Sequence, residues 1–206
     1  MRRPSLNRRN QPNRKRRLLF WMLLVILGGI SVFVLLQRHK ISSWRIDDTR
    51  YAAEIRTAAA RHRIPPELVR AVIYRESGFN PNAAGKAGEV GLMQVLPRGS
   101  VADWCRINRL PEPSLRQLRR PEVNLEIGCF YLARALRRWE GYRCQTELAL
   151  CQYNAGERRA AKWRPEDPED PEILSRIGIR STREYVAFIM ARYRKYLEES
   201  KQGADQ

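Results

Sequence analysis

From Leu18 to Leu36 the chain runs for nineteen residues without a charged side chain, and nearly all of them are apolar. As a helix rising about 1.5 Å per residue, such a run is just long enough to cross a hydrocarbon core of about 30 Å. It therefore divides the chain into a short N-terminal part and a long C-terminal one. Residues 1–17 hold eight Arg or Lys and no acid, while Arg38 and Lys40 on the far side dilute the asymmetry only slightly. A basic flank of this kind stays in the cytoplasm. No small-residue cleavage site comes after the run, as one would at the end of a secretory signal. The expectation is a single-pass anchor with the N-terminus inside. It gives a basic tail at 1–17, a span at 18–36, a stalk at 37–47, a body at 48–201 outside, and a disordered end at 202–206. A buried core helix is the alternative reading of the same run.

The charge balance supports that division. Of the formal net charge of +17, residues 1–50 contribute +10 and the rest of the chain +7. The densest basic cluster adjoins the span, where membrane orientation accounts for it. Zinc-finger spacing and RNA-recognition signatures are both missing, so the high pI of about 10.6 does not point to nucleic acid. The moderate positive charge of the body suits an anionic polymer, although most such charges form a solvated face. All four cysteines, Cys105, Cys129, Cys144 and Cys151, lie beyond the span, in a compartment where disulfides persist. Three pairings are possible and the sequence does not choose among them. Cys151 can equally be a small buried apolar residue. No Cys-x-x-Cys pair occurs, and neither His39 nor His62 has an evident partner. No metal or cofactor is expected.

Helical patterns fill the body. They predict helices over 48–62, 66–77, 98–108, 123–139, 146–154 and 183–199. The fourth, with Leu125, Ile127, Gly128, Tyr131, Leu132, Ala135, Leu136 and Trp139 on one face, should be central. Between the last two, Pro165, Pro168 and Pro171 with four intervening acids form a loop through which no helix runs. The fold class is all-α, one domain of about 150 residues with a real core.

The second of these helices carries the most telling residue. Pro65-Pro66 suits its first turn, where a missing N–H loses nothing, and Gly78 with Pro81 shortly after suits its end. Leu68, Val69, Val72 and Ile73 repeat at helical spacing, and Glu76 continues that apolar row at the helix's C-terminal end. Burial disfavours a charged carboxylate, and so does the negative end of the helix dipole. Both raise its pKa, as a general acid working near neutral pH requires. The bland alternative is a helix-end glutamate paired with Arg75.

Four blocks, in order, sharpen the choice: Glu76-Ser77-Gly78-Phe79-Asn80-Pro81, Gly91-Leu92-Met93-Gln94, Gln152-Tyr153-Asn154-Ala155-Gly156, and Thr182-Arg183-Glu184-Tyr185-Val186. Together they resemble the catalytic domain of soluble lytic transglycosylases, within the lysozyme-like superfamily that includes goose-type lysozyme. The resemblance covers residues 50–197. It implies a lysozyme-like fold and peptidoglycan as substrate, at a bacterial inner membrane with the domain in the periplasm. It also implies cleavage of the bond between N-acetylmuramic acid and N-acetylglucosamine, leaving a 1,6-anhydromuramyl end, with Glu76 as acid and then base.

For the remaining blocks the resemblance implies substrate contacts. Gln94 and Asn154 would offer amides to the sugars, and Met93 and Tyr153 would offer surface to the rings. Tyr185 would bond the glutamate or the acetamido group. Ser77 would cap and orient its loop beside the substrate. Tyr153 and Tyr185 can also be read as ordinary core packing. Family members often carry serine nine residues after the glutamate; this chain has Gly85. Two other functions stay open. One is a hydrolytic muramidase with Glu89 as the second carboxylate. The other is a glycan-binding envelope component without catalysis.

Overall fold

The computed structural model describes residues 21–22 and 46–204. The expected tail, the expected span apart from the helical pair Trp21–Met22, and the stalk up to residue 45 lie outside the described residues, as do residues 205–206. Among the described residues no helix is long and apolar enough to cross a membrane. The chain divides into two units, Met1–Ile46 and Asp47–Gln206. Apart from Trp21–Met22, the described helical residues belong to the second.

Among its described residues, eight α-helices build it: α1 (Ala52–His62), α2 (Pro66–Glu76), α3 (Ala102–Asn108), α4 (Leu115–Leu118), α5 (Pro121–Arg138), α6 (Gln145–Ala155), α7 (Glu157–Trp163) and α8 (Arg180–Ala204). Among the described residues, extended pairing is confined to two antiparallel bridges, Ala84 with Val90 and Val90 with Val95. The fold is all-α, as the helical patterns predicted. Helix α5 is central: α1, α4 and α6 all pack on it, while α8 lies along α2 and α6. Its inner face carries Leu125, Cys129, Leu132 and Ala135, all buried, against Leu68, Val72, Leu148 and Val186. A second, smaller cluster joins Val90, Val95, Val101, Cys105, Leu118 and Ile127.

Several expectations need correction. Helix α1 begins at Ala52 rather than Asp48, because Asp47 closes a turn on Thr49 and Tyr51 takes a left-handed backbone, φ 65°. Asp48 is thereby free to bind Arg70, at 2.9 Å, and the Tyr196 hydroxyl, at 2.6 Å. Helix α8 starts three residues early and continues past Glu199 to Ala204, so residues 202–204 are helical rather than a loose end. Helices α4 and α7 were not foreseen. The first had a readable sign, since Ser114 and Gln117 form a capping box.

All four cysteines are buried free thiols. Cys144 and Cys151 stand about 10 Å apart along α6, two helical turns, which is beyond the reach of a disulfide. His62 does have a partner: its Nε2 lies 3.0 Å from Glu126 Oε1, while Arg61 holds the other oxygen at 2.7 Å. The partner comes from α5, 64 residues away in sequence, so the local pattern could not reveal it. Among the described residues no group of His, Cys, Asp or Glu is placed to hold a metal.

Candidate active site

Helix α2 ends where the sequence said it should. Pro65 and Pro66 start it, Ser77 N–H closes on Ile73 O, and Gly78 turns the chain with φ 57°. Glu76 is its last residue and opens into a groove. The groove takes one wall from the 85–100 loop (Gly85, Lys86, Glu89, Gln94, Leu96, Ser100). The other comes from Tyr131 and Ala135 of α5, Gln152, Tyr153 and Asn154 of α6, and Glu157 of α7. Tyr153 packs against the main core and Tyr131 against the smaller one, so the groove runs along the seam between the two clusters.

The carboxyl of Glu76 has one tight partner. The Tyr185 hydroxyl, buried on α8, donates to Glu76 Oε1 at 2.6 Å. Burial lifts the pKa of Glu76 to about 7, against the Tyr185 bond and the charge of Arg75, which both favour ionisation; the charge of Glu89 adds to the rise. Arg75 instead places its guanidinium over the rings of Tyr185 and Phe188, at 5.6 and 5.9 Å. The simple Glu76–Arg75 pair is therefore not what forms.

The 85–100 loop is shaped by Asn124, a fully buried side chain on α5. It accepts from Met93 N–H at 2.8 Å and donates to Val90 O and Leu118 O at 2.8 and 2.9 Å. Gly91 is required there. Its φ is +83°, and a Cβ would lie 2.8 Å from Asn124 Cγ. Gln94 also holds a left-handed backbone, φ 48°, unusual for a residue with a side chain. Its Nε2 donates to Gly91 O at 2.9 Å and Ala83 O at 3.3 Å, which leaves Oε1 as its free polar atom on the groove wall.

Of the residues singled out by sequence, Glu76, Gln94, Tyr153 and Asn154 line the groove together. Asn154 accepts from Thr182 Oγ1 through Oδ1 at 2.8 Å, so its amide nitrogen faces outward. The Tyr153 hydroxyl is committed to Met93 O at 2.9 Å, so the ring, rather than the hydroxyl, is what it offers. One residue is not where it was expected. Met93 is fully buried, its sulfur 3.9 Å from Cys129 Sγ, and presents no surface to a sugar. Ser77 donates to Leu92 O at 2.8 Å and is no part of the groove lining; it ties the loop to α2. Tyr185, whose hydroxyl donates to Glu76, stands behind that carboxyl rather than in the lining.

Sequence reasoning missed Tyr131, placed on the core face of α5 by periodicity. The residue lines the groove, while its hydroxyl is buried with no hydrogen-bond partner. Gln152, which opens the third block without a role of its own, also lines the groove and accepts from Trp139 Nε1 at 2.8 Å. Ser100 spends its hydroxyl on the Leu96 backbone, at 3.0 and 3.4 Å.

The family model described as the transglycosylase SLT domain matches residues 53–174. The chain is 42% identical over 77 residues to the endo-type membrane-bound lytic murein transglycosylase A of Klebsiella pneumoniae subsp. pneumoniae, covering 37% of this chain and 38% of that protein. It is 32% identical over 120 residues to the protein of the same name from Salmonella paratyphi B, covering 55% of this chain and 58% of that one. In both, the match spans less than two thirds of the relative's own length. Among solved structures, an inactive mutant of the lytic transglycosylase Slt from Pseudomonas aeruginosa superposes with a TM-score of 0.66 at 25% identity, over 74% of this chain and 25% of that chain.

Proposed function

The chain belongs to the transglycosylase SLT domain family, and from that premise we propose that it cleaves peptidoglycan glycan strands as a lytic transglycosylase. The observation that carries this reading is Glu76 at a helix end in the groove, bonded by Tyr185 and with its pKa near 7. A carboxyl with that pKa holds a proton at neutral pH and can also release it, as one residue serving as acid and then base requires. Glu76 protonates the oxygen between N-acetylmuramic acid and N-acetylglucosamine while the sugar's acetamido oxygen shares the charge at C1. The resulting carboxylate takes the proton from the C6 hydroxyl, whose oxygen closes on C1. The product is a 1,6-anhydromuramyl end and Glu76 is protonated again. Asn154, Gln94 and the Tyr153 ring hold the sugars.

We also infer that residues 18–36 anchor the chain in the inner membrane with the domain in the periplasm. The uncharged run and the membrane-bound names of the relatives support this. Release of full-length chain by alkaline extraction would count against it.

A hydrolytic muramidase is the second reading, favoured by one observation: Glu89 lines the same groove as Glu76. Mass spectrometry of muropeptides released by the purified full chain separates the two. Anhydromuramyl products that vanish in Glu76→Gln support the transglycosylase. Reducing ends would mean that water attacks, and glycan binding without release would mean that the domain only binds.

A further inference from the structure

Gly85 and Glu89 share one space on the groove wall. A Cβ on Gly85 would stand 2.8 Å from Glu89 Cδ and 2.9 Å from Gln94 Oε1, closer than packed atoms allow. The missing side chain at 85 therefore makes room for the carboxylate of residue 89. Ala87 N–H holds that carboxylate, donating to Glu89 Oε2 at 2.9 Å, and Gly85 N–H fixes the backbone behind it, donating to Glu89 O at 2.8 Å. Both residues line the groove beside Glu76 and Gln94.

A carboxylate accepts hydrogen bonds and donates none. Gln94 has already committed its NH₂ to backbone carbonyls, so it too presents an acceptor here. This part of the wall accordingly suits a hydrogen-bond donor on the substrate. On an N-acetylated amino sugar, the acetamido N–H is the donor whose direction governs reaction at C1. Once it is held, the carbonyl oxygen on the same planar group is aimed.

We propose that Glu89 accepts the acetamido N–H of the sugar undergoing cleavage and so points its carbonyl oxygen at C1. The assignment rests on the transglycosylase reading of the groove. As the acetamido oxygen bonds to C1, the C1–O electron pair leaves with the departing oxygen, which takes the proton of Glu76. The N–H proton stays on nitrogen. Nitrogen gains positive character in that step, so its bond to Glu89 strengthens in the transition state, which is the condition for a contact to raise kcat. When the C6 oxygen then attacks C1, the pair returns to the acetamido group and Glu76 recovers its proton.

The test uses the full chain and three variants: Glu89→Gln, Glu89→Ala, and Gly85→Ser combined with Glu89→Ala. Glu89→Gln keeps an acceptor for Ala87 N–H, so the turn and the melting temperature should hold. Its kcat should fall about ten- to a hundredfold, the effect of losing a charged hydrogen-bond partner, with little change in KM. Its products should remain anhydromuramyl. The alkaline fall of its rate–pH profile should move to lower pH, because a negative charge near Glu76 is gone. Glu89→Ala should lose more, and Gly85→Ser added to it should restore part of the rate by placing a hydroxyl in the vacated space. A Glu89→Gln rate within about twofold of the parent would overturn the proposal. So would a double variant no faster than Glu89→Ala, or reducing-end products that disappear when Glu89 is changed. Failure of the parent chain to make anhydromuramyl ends tells against the transglycosylase reading itself, and is seen before any variant is compared.

Discussion

At Glu76, function and stability pull in opposite directions. Its pKa near 7 in the fold stands above its ordinary 4.5. Below pH 4.5 the group is neutral whether the chain is folded or not. As pH rises, the unfolded chain ionises freely while the folded chain resists, so stability declines until about pH 7 and then levels off. Glu76→Gln should therefore abolish turnover yet raise stability at pH 8 by up to about 3 kcal/mol. At pH 4 the two proteins should melt alike, and paired thermal melts at the two pH values would check this. Tyr185→Phe removes a bond that favours the ionised form, so the pKa of Glu76 should rise further. The alkaline fall in rate should then shift to higher pH, with kcat lower by about tenfold for the lost hydrogen bond. A rate–pH profile in its old position would mean that the 2.6 Å contact does not persist in the working enzyme.

The 85–100 loop has little regular structure of its own and depends on α5. Asn124 joins three of its backbone groups or neighbours at once, and Gly128, one turn further along, faces Met93 so closely that a Cβ would meet Met93 Cβ at 2.7 Å. Two substitutions probe this support. Asn124→Leu leaves buried backbone groups unpaired and should destabilise by about 3 kcal/mol. Gly128→Ala overpacks the Met93 site and should cost about 1–3 kcal/mol. Urea unfolding would give both figures. Turnover should fall in each at temperatures where the fold survives, because Gln94 and Glu89 are carried by the same loop. Unchanged turnover would show that the loop shapes itself.

Across the domain, the first residues after Ile46 are tied to the last helix. Burial works against ionisation of Asp48, but the hydrogen bonds from Tyr196 and Arg70 outweigh it and hold its carboxyl below the ordinary 3.8. A depressed pKa of this kind stabilises above pH 3.8 and is lost as pH falls through the folded value. Tyr196→Phe should thus cost about 1 kcal/mol at pH 7 and progressively less below pH 4. Arg70 also lies over the Tyr196 ring at 3.7 Å, so the contact closes the core as well as pairing charges. Residues 47–206, expressed alone, should unfold in one cooperative, largely helical transition. Loss of cooperativity would show that the division at residue 46 is not a folding boundary.

Local rules were enough to determine most of the helices in this chain and the position of its acid. Proline at the start, glycine at the end and a 3.6-residue apolar period act over neighbouring residues, so α2, α5 and Glu76 could be read directly. The expected span at 18–36 rests on signals just as local, length and the absence of charge. What required the tertiary structure was which atoms remain available. Met93 and Tyr153 look alike as candidate sugar surfaces in sequence, yet one lies in the core and the other on the groove wall. Tyr131 looks like core, yet it lines the groove and keeps a buried, unpaired hydroxyl. The Glu76–Tyr185 bond joins residues 109 apart, and the Glu89 carboxylate occupies its place because residue 85 has no side chain. Burial and hydrogen-bond satisfaction depend on everything that packs around an atom, and that is decided only when α5, α6 and α8 close on the loop.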